Sequence, residues 1–141
     1  MWMWEASAST ETSAPPSAVW ELWEDPARWI EWNDEIVSGE LEGPFAVGSV
    51  ARIKPRAFPR LGFELVEIDP GRLLVSQTRL PGVRLRHYHL VEGEGDLTKI
   101  THRMCLVGPA APLYGLLFGW RLRRSVRGFA RREQELAEAA S

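Results

Sequence analysis

Four of the seven tryptophans in this chain lie close together, between Trp20 and Trp32. Each large aromatic side chain carries roughly 150–250 Å² of surface that folding has to bury. Pro26 interrupts the segment, and a proline inside a helix breaks it. The tryptophans are therefore predicted to lie on two short helical pieces, and to form one end wall of a core that is unusually wide or hollow.

The length of 141 residues predicts one domain, residues 1–141, able to bury about two-thirds of its unfolded surface. The net charge of −2 lacks the basic excess of a nucleic-acid binder, so no nucleic-acid partner is predicted. Cys105 is the one cysteine, which excludes an intrachain disulfide and fits a reducing cytoplasm. Residues 1–10 do not resemble a secretory signal, and no run approaches the ~20 apolar residues of a membrane span. A cytoplasmic location is predicted.

Local patterns predict a strand followed by two short helices near the N-terminus. Side chains alternate between apolar and polar over 2–11, as in a strand. A helix is expected from the Pro15-Pro16-Ser17 stretch to about Glu24, with Ser13 or Ser17 as its cap. Asp25-Pro26 is a suitable start for a second helix, which carries Trp29 and Trp32.

The rest of the chain predicts an antiparallel meander and a long helix. Short alternating runs from Asp34 to Gly108 are separated by turn residues at 42–44, 69–71, 80–82 and 93–96. From about Pro112 the pattern is helical, with apolar residues on one side and arginines on the other. The apolar side consists of Phe118, Leu122, Val126, Phe129 and Leu136. The arginines, predicted to form a solvated face, are Arg121, Arg123, Arg124, Arg127, Arg131 and Arg132.

Hairpin geometry predicts which residues of the last three strands face the helix. A two-residue turn at Glu94-Gly95 places His87 opposite His102, with His89 diagonal to His102. Leu85 and Met104, and His89 and Ile100, are further predicted pairs. A turn at Pro81-Gly82 puts Leu74, Ser76, Thr78 and Leu80 on the same inner face. The orientation of the strand that carries Phe63 and Leu65 is left open.

Three histidines, a serine and a threonine among aliphatic residues are unusual for a solid core. A cavity with apolar walls and a few polar contacts is typical of a site for a small molecule.

Several segments resemble one protein superfamily in their order and spacing. They are the tryptophan segment 19–33, Val47-Gly48-Ser49, residues 69–73, residues 97–101 and the terminal helix. In these the chain resembles the START/Bet v 1-like (SRPBCC) superfamily, and within it the bacterial polyketide cyclase/dehydrase and lipid-transport group. The resemblance implies an α+β helix-grip fold: a seven-stranded antiparallel sheet wrapped around a long C-terminal helix, with two short helices after the first strand and an enclosed hydrophobic cavity. Members include lipid carriers, hormone and quinone binders, and aromatase/cyclases, and the family has no invariant catalytic residue to transfer to this chain.

We expect the chain to bind a small hydrophobic or aromatic ligand, such as a lipid, a polyketide or a quinone. The predicted ligand-binding residues are Trp29, Trp32, Phe63, Leu74, Ser76, Thr78, Leu85, His87, His89, Ile100, His102, Met104, Leu116 and Trp120. An alternative is a polyketide cyclase or dehydratase in which His87 and His102 act as general acid and base. The histidines could instead be polar core residues that satisfy one another. No inward carboxylate is predicted beside them, so the zinc site is incomplete and no metal or other cofactor is predicted.

The start of the terminal helix offers a third hypothesis. Leu113, Leu116, Leu117 and Trp120 project on the side that later becomes rich in arginine, and Gly115 and Gly119 could loosen this segment. The rim of the sheet could cover these residues. Alternatively, they form a mobile cavity entrance that docks on a membrane or a protein partner, with the arginines meeting anionic groups. The sequence predicts no oligomeric state.

Overall fold

The computed structural model describes residues 2–140, which form seven strands and three helices. In chain order they are β1 (Met3–Thr12), α1 (Pro16–Trp23), a 3₁₀ helix (Pro26–Glu31), β2 (Ile36–Glu42), β3 (Val50–Pro55), β4 (Leu61–Asp69), β5 (Leu73–Leu80), β6 (Val83–Glu94), β7 (Leu97–Val107) and α2 (Ala111–Ala140).

The strands form one antiparallel sheet in the order β1-β7-β6-β5-β4-β3-β2. Strands β2 to β7 are a meander, and β1 joins its far edge by pairing with β7. Helix α2 lies against β1 and β7, and α1 contacts both α2 and β6. The helix-grip architecture expected from the resemblance is confirmed. Among the described residues, no helix is long and apolar enough to cross a bilayer.

The two short helices begin in different ways. Pro16 is the first residue of α1, and neither Ser13 nor Ser17 caps it, because the N-cap position is Pro15 and no side chain accepts a hydrogen bond there. A proline at N1 has no N–H to be capped, which lessens the need for a polar cap. The cap predicted for the second helix is confirmed, since Asp25 Oδ1 accepts a hydrogen bond from the Ala27 N–H at 3.1 Å.

The β6–β7 turn lies one residue later than predicted. Glu94 pairs with Leu97, so the turn residues are Gly95 and Asp96, and Gly95 has a φ of 63°. The predicted turn would place Glu94 at the first turn position, where hairpin turns of both primed types need a positive φ that glycine adopts at little cost. The pairing therefore slides by two residues, and His89 rather than His87 lies opposite His102.

The faces of these strands are nevertheless as predicted. A slide of two residues keeps every side chain on its own face, whereas a slide of one would reverse them all. The β5–β6 pairing through Pro81-Gly82 is confirmed, with Ser76 opposite His87. On β4, Leu65 is buried and Phe63 is partly buried, and a bulge between Leu65 and Glu67 interrupts the alternation. That bulge explains why the pattern alone left the orientation open.

The two halves of α2 have different surroundings. In the second half, Val126, Phe129, Glu133 and Ala137 are buried at helical spacing. In the first half, Leu113, Leu116, Leu117 and Trp120 are all more than half exposed. The rim of the sheet does not cover them.

Gly115 and Gly119 serve close packing. A Cβ atom at Gly115 would lie 2.5 Å from Cδ1 of Trp4, and one at Gly119 would lie 2.8 Å from its Cζ2. The two glycines therefore let the Trp4 ring of β1 lie directly against α2. The guanidinium carbon of Arg123 lies over that ring, 5.1 Å from its centroid.

Candidate functional site

A pocket of about 650 Å³ lies between the sheet and α2 and is open at one end. Its walls come from the 3₁₀ helix, from β2 to β7 and from α2, and its surface is mostly apolar. Some lining residues are buried and mark the closed end: Trp29, Trp32, His87, His89 and Phe129. Others are exposed and mark the open end, among them Phe58, Leu113, Leu117 and Arg121.

The tryptophan segment forms a wall in which three indole N–H groups, those of Trp23, Trp29 and Trp32, donate to buried acceptors. Trp29 Nε1 donates to the carbonyl oxygen of Trp23 at 2.9 Å, and Trp32 Nε1 donates to that of Leu22 at 3.0 Å. Trp23 Nε1 donates to Glu133 Oε2 at 2.7 Å. These bonds hold the rings in place. Trp29 and Trp32 reach the pocket, while Trp20 and Trp23 pack behind it.

The three histidines form a compact buried cluster beside this wall. The rings of His87 and His89 stack with centroids 3.8 Å apart, and His102 lies about 5 Å from both, at 5.0 and 5.1 Å. A hydrogen bond of 2.8 Å joins His87 Nε2 to His102 Nδ1. The predicted contact between these two side chains is therefore present, although it is diagonal across the strands. His89 Nδ1 donates to the Leu74 carbonyl oxygen at 3.1 Å, which leaves a lone pair on His89 Nε2.

A buried carboxylate completes the cluster. Glu133 of α2 is fully buried, and its Oε1 lies 2.5 Å from His102 Nε2. Its other oxygen accepts the Trp23 indole N–H. The expectation that no inward carboxylate lies near the histidines is wrong. The signal was present in the helical spacing, because Glu133 follows Phe129 by four residues and Val126 by seven, on the apolar face.

Burial controls the protonation of this cluster. It lowers the pKa of His102 to about 3, and it lowers the pKa values of His87 and His89 well below their usual value, with the neighbouring imidazoles acting in the same direction. It also raises the pKa of Glu133 well above its usual value, against the opposing effect of the Trp23 hydrogen bond. Desolvation thus favours the uncharged form of each group in the hydrogen-bonded series Glu133–His102–His87.

The predicted ligand-binding residues fall into three groups. Eight of them line the pocket: Trp29, Trp32, Phe63, Ser76, Leu85, His87, His89 and Met104. Leu74, Thr78, Ile100 and His102 are buried but do not reach its wall. Leu116 and Trp120 are 80% and 61% exposed and lie outside it. For these two the structure departs from the prediction, because at about 100° per residue they fall outside the half of α2 that carries Leu113, Leu117 and Phe118.

Several pocket residues were not anticipated from the sequence. They include Ile36, Ile53, Phe58, Leu61, Tyr114, Phe118 and Phe129. Phe118 and Phe129 stood out as part of the apolar side of α2. That pattern identifies residues facing inward, but it does not distinguish those in the packed core from those beside a void.

The match to a family is decisive for the classification. Residues 3–138 match the family described as polyketide cyclase / dehydrase and lipid transport. The chain belongs to this family. Among curated proteins, none matches the chain in sequence.

Solved structures with the same fold include norcoclaurine synthase, StfQ and DynU16. Norcoclaurine synthase from Thalictrum flavum, in complex with dopamine and hydroxybenzaldehyde, superposes with a TM-score of 0.73 at 15% identity over 99% of this chain and 88% of that chain. StfQ, a di-domain ARO/CYC of the steffimycin biosynthetic pathway, gives 0.80 at 12% identity over 98% and 51%. DynU16, from the dynemicin biosynthetic locus, gives 0.70 at 20% identity over 97% and 48%. The chain thus spans about half the length of StfQ and DynU16, and these similarities establish the fold.

Proposed function

We propose that this protein binds a small hydrophobic or aromatic molecule, such as a polyketide, a quinone or a lipid, in the pocket between the sheet and α2. The main supporting observation is the pocket of about 650 Å³, whose walls are mostly apolar and whose closed end includes His87 and His89. Such a volume is within the range of about 300–1,000 Å³ typical of small-molecule sites. Norcoclaurine synthase and StfQ, which share the fold, support a guest with aromatic rings.

The two ends of the pocket would have different tasks. Apolar side chains such as Phe63, Leu85 and Met104 would remove the rings of the guest from water. His87 and Ser76 would offer hydrogen bonds to an oxygen at the leading end of the guest. Arg121 at the mouth suits a guest whose trailing end is polar or anionic.

The test compares two insertions of the same indole group. Leu85→Trp fills the pocket, whereas Leu116→Trp adds the ring on the exposed outer side of α2. We expect the wild type and Leu116→Trp to bind anilinonaphthalene sulfonate, and Leu85→Trp to lose that binding. Native mass spectrometry of the freshly purified wild type checks for a retained guest. If the wild type binds no dye and retains no guest, the proposal is wrong.

A second candidate is proton transfer on a carbonyl-containing guest, as in a polyketide cyclase or dehydratase. Its supporting observation is the hydrogen-bonded series Glu133–His102–His87, of which His87 lines the pocket. The step starts from the form of the protein in which Glu133 is ionised, which burial makes the minor form. In this form, His87 Nδ1 would take a proton from the carbon next to a carbonyl group of the guest. His87 would pass its Nε2 proton to His102 Nδ1, and His102 its Nε2 proton to Glu133. The proton taken from the guest would thus be balanced by one gained at the carboxylate.

Deuterium exchange tests this candidate without a known substrate. α-Tetralone is an aromatic ketone whose hydrogens beside the carbonyl exchange with D₂O, and NMR measures the rate. We expect the wild type to accelerate this exchange, and His87→Gln and His102→Gln to lose the acceleration while the ketone still binds. Arg86→Gln, on the outer face of the same strand, should behave as the wild type. Equal rates in all variants would rule out the histidines as proton carriers.

A third candidate is docking on an anionic membrane surface beside the mouth of the pocket. Leu116 and Trp120 are exposed there. A groove next to Trp120 is lined by four arginines, Arg123, Arg124, Arg127 and Arg131, and Asp34 and Glu35 also border this groove. Exposed apolar side chains beside clustered arginines suit an interface with anionic headgroups. Co-sedimentation with phosphatidylcholine vesicles, with and without phosphatidylglycerol, provides the measurement. Binding that needs the anionic lipid and is lost in Leu116→Glu/Trp120→Glu supports docking, and equal binding of this variant contradicts it. A cytoplasmic location stays a prediction.

A further inference from the structure

The three histidines of the chain all lie in one buried cluster. His87 and His89 are two residues apart on the inner face of β6, and His102 lies opposite His89 on β7. One donor nitrogen from each ring lies within 4.8 Å of the other two. This closeness results from strand geometry. Residues i and i+2 of a strand point to the same face of the sheet, and the residue paired with one of them on the adjacent strand points to that face as well.

The hydrogen bonds at the far side of each ring decide which nitrogens are free to converge. His89 uses Nδ1 to donate to the Leu74 carbonyl oxygen, which leaves its Nε2. His102 uses Nε2 with Glu133, which leaves its Nδ1. His87 has Nε2 beside that same Nδ1 of His102, at 2.8 Å. The converging set is therefore Nε2 of His87, Nε2 of His89 and Nδ1 of His102.

An unpartnered atom indicates that something is missing from this cluster. His89 Nε2 is buried and has no hydrogen-bond partner, and it is the one buried side-chain nitrogen or oxygen among the described residues in this condition. A buried lone pair without a partner is unfavourable, because folding removes its hydrogen bond to water and provides no other hydrogen bond in its place. A cation at the centre of the cluster would use this lone pair.

The surroundings of the cluster are those that metal-binding histidines have. A ligating histidine generally donates its second ring N–H to a carboxylate, a backbone carbonyl or water, which fixes the tautomer and the direction of the ring. Here a carboxyl oxygen of Glu133 is hydrogen-bonded to His102 Nε2, and the carbonyl oxygen of Leu74 accepts the Nδ1–H of His89. The rings of Trp23, Trp29 and Trp32 pack around the cluster and give it an apolar shell.

From this arrangement we propose that His87, His89 and His102 bind one divalent transition-metal ion of the zinc class, with Glu133 as a positioning residue. Three imidazoles suit Zn²⁺, Co²⁺, Ni²⁺, Cu²⁺ or Fe²⁺, and catalytic zinc sites commonly use three protein ligands and keep a fourth position open. Because His87 and His89 line the pocket, the open position faces it. An oxygen atom of the guest, or a water molecule, would occupy that position.

Metal binding requires the three donor nitrogens, which lie within 4.8 Å of one another, to move to one common separation. Two imidazole nitrogens on a tetrahedral ion at ~2.0–2.1 Å are roughly 3.3 Å apart. The 2.8 Å between His87 Nε2 and His102 Nδ1 must therefore widen by about half an ångström as the ion replaces the hydrogen bond. Metal binding and the proton-carrying chain consequently exclude each other, while guest binding in the pocket is compatible with either.

Isothermal titration of metal-stripped protein with Zn²⁺ is the direct test, and Co²⁺ absorption reports the coordination number. We expect one ion per chain, with the intense visible bands of four-coordinate Co²⁺. His89→Phe keeps the stacked ring but removes the donor, and should lose stoichiometric binding. Glu133→Gln should bind 10–100-fold more weakly, as expected when a partner that orients a ligand is altered. Cys105→Ser should bind as the wild type, since Cys105 lies on the outer face of β7.

The outcomes separate this inference from the proposed function. No histidine lies outside the cluster, so binding that survives in His89→Phe would place the ion elsewhere and overturn the inference. Absence of binding of Zn²⁺, Co²⁺ and Ni²⁺ to the wild type would overturn it as well, while dye binding in the same sample would leave the guest-binding proposal standing. If His89→Phe does not fold, as judged by tryptophan fluorescence, His89→Gln takes its place with the same expected loss.

Discussion

The burial of side chains in the two halves of α2 is the opposite of what their composition suggests. The first half is apolar nearly all round, yet Leu113, Leu116, Leu117 and Trp120 are exposed. The second half is rich in charged residues, yet Glu133 is completely buried. The difference arises from what each half meets: the second half lies against α1 and the tryptophan wall, while the first passes over the open end of the pocket.

This contrast shows that the covering elements decide burial in this fold, and that hydrophobicity alone does not. Where α1 and the 3₁₀ helix close the sheet, α1 supplies the Trp23 indole that donates to Glu133. Where nothing closes the sheet, apolar side chains surround an opening. If this account is right, substitutions in the two halves should have very different consequences.

The largest expected difference is between two truncations on the same helix. Phe129 is 2% exposed and packs edge-on against Trp32 with ring centroids 5.3 Å apart, whereas Leu117 is 54% exposed. Phe129→Ala should lower the free energy of unfolding by about 3–5 kcal/mol because it removes a buried ring and leaves a cavity. Leu117→Ala should change it by less than about 0.5 kcal/mol. Urea denaturation followed by tryptophan fluorescence measures both, and equal losses would contradict the comparison.

Removal of the buried carboxylate should come next. Glu133→Ala leaves the Trp23 indole N–H and His102 Nε2 without partners, and should lower the free energy of unfolding by about 2–4 kcal/mol. Glu133→Gln keeps an acceptor for Trp23 and a partner for His102, and should cost about 1 kcal/mol. Denaturation of both variants under one set of conditions gives the values. A Glu133→Ala protein as stable as Glu133→Gln would show that these hydrogen bonds do not hold the closed end.

A smaller effect is expected from two glycines of α2. Gly115→Ala forces its new methyl group against Trp4 and should destabilise the protein by about 1–3 kcal/mol. Gly128→Ala meets no atom within 4 Å, and should stabilise the helix by up to about 1 kcal/mol through the lower backbone entropy of alanine. Thermal unfolding by circular dichroism distinguishes the two. The same sign for both substitutions would mean that Trp4 does not rest on Gly115 in solution.

The smallest effect on stability should come from the exposed apolar pair. Leu116→Glu/Trp120→Glu should alter the free energy of unfolding by about 0.5 kcal/mol or less, because both side chains are mostly in water already. Val37→Glu/Val47→Glu, at two other exposed apolar positions, is the matched control. A large loss of stability only in the first variant would show that Leu116 and Trp120 are covered in solution, for example by a second copy of the chain.

Much of the fold followed from patterns that extend over a few residues. The alternation along β5, β6 and β7 correctly assigned their inner faces, and the apolar spacing of α2 identified its inward side. The prediction that the histidines lie together depended on this alternation. It held although the turn was misplaced, because a register error of two residues leaves each side chain on the same face of the sheet. Glu133 was overlooked because a charged residue within an apolar stripe is easily assigned to the solvent, although its spacing placed it inside.

The sequence by itself determined which side of β5, β6 and β7 and of the second half of α2 faces inward, because a period of two or 3.6 residues is a local property of the backbone. Only the tertiary structure decided which inward residues meet, and which of them border a void. Those outcomes depend on how α2 crosses the sheet and on where α1 and the 3₁₀ helix stop covering it. The joining of Glu133 to His102 and Trp23 is therefore a consequence of packing between distant segments, and no short stretch of the chain encodes it.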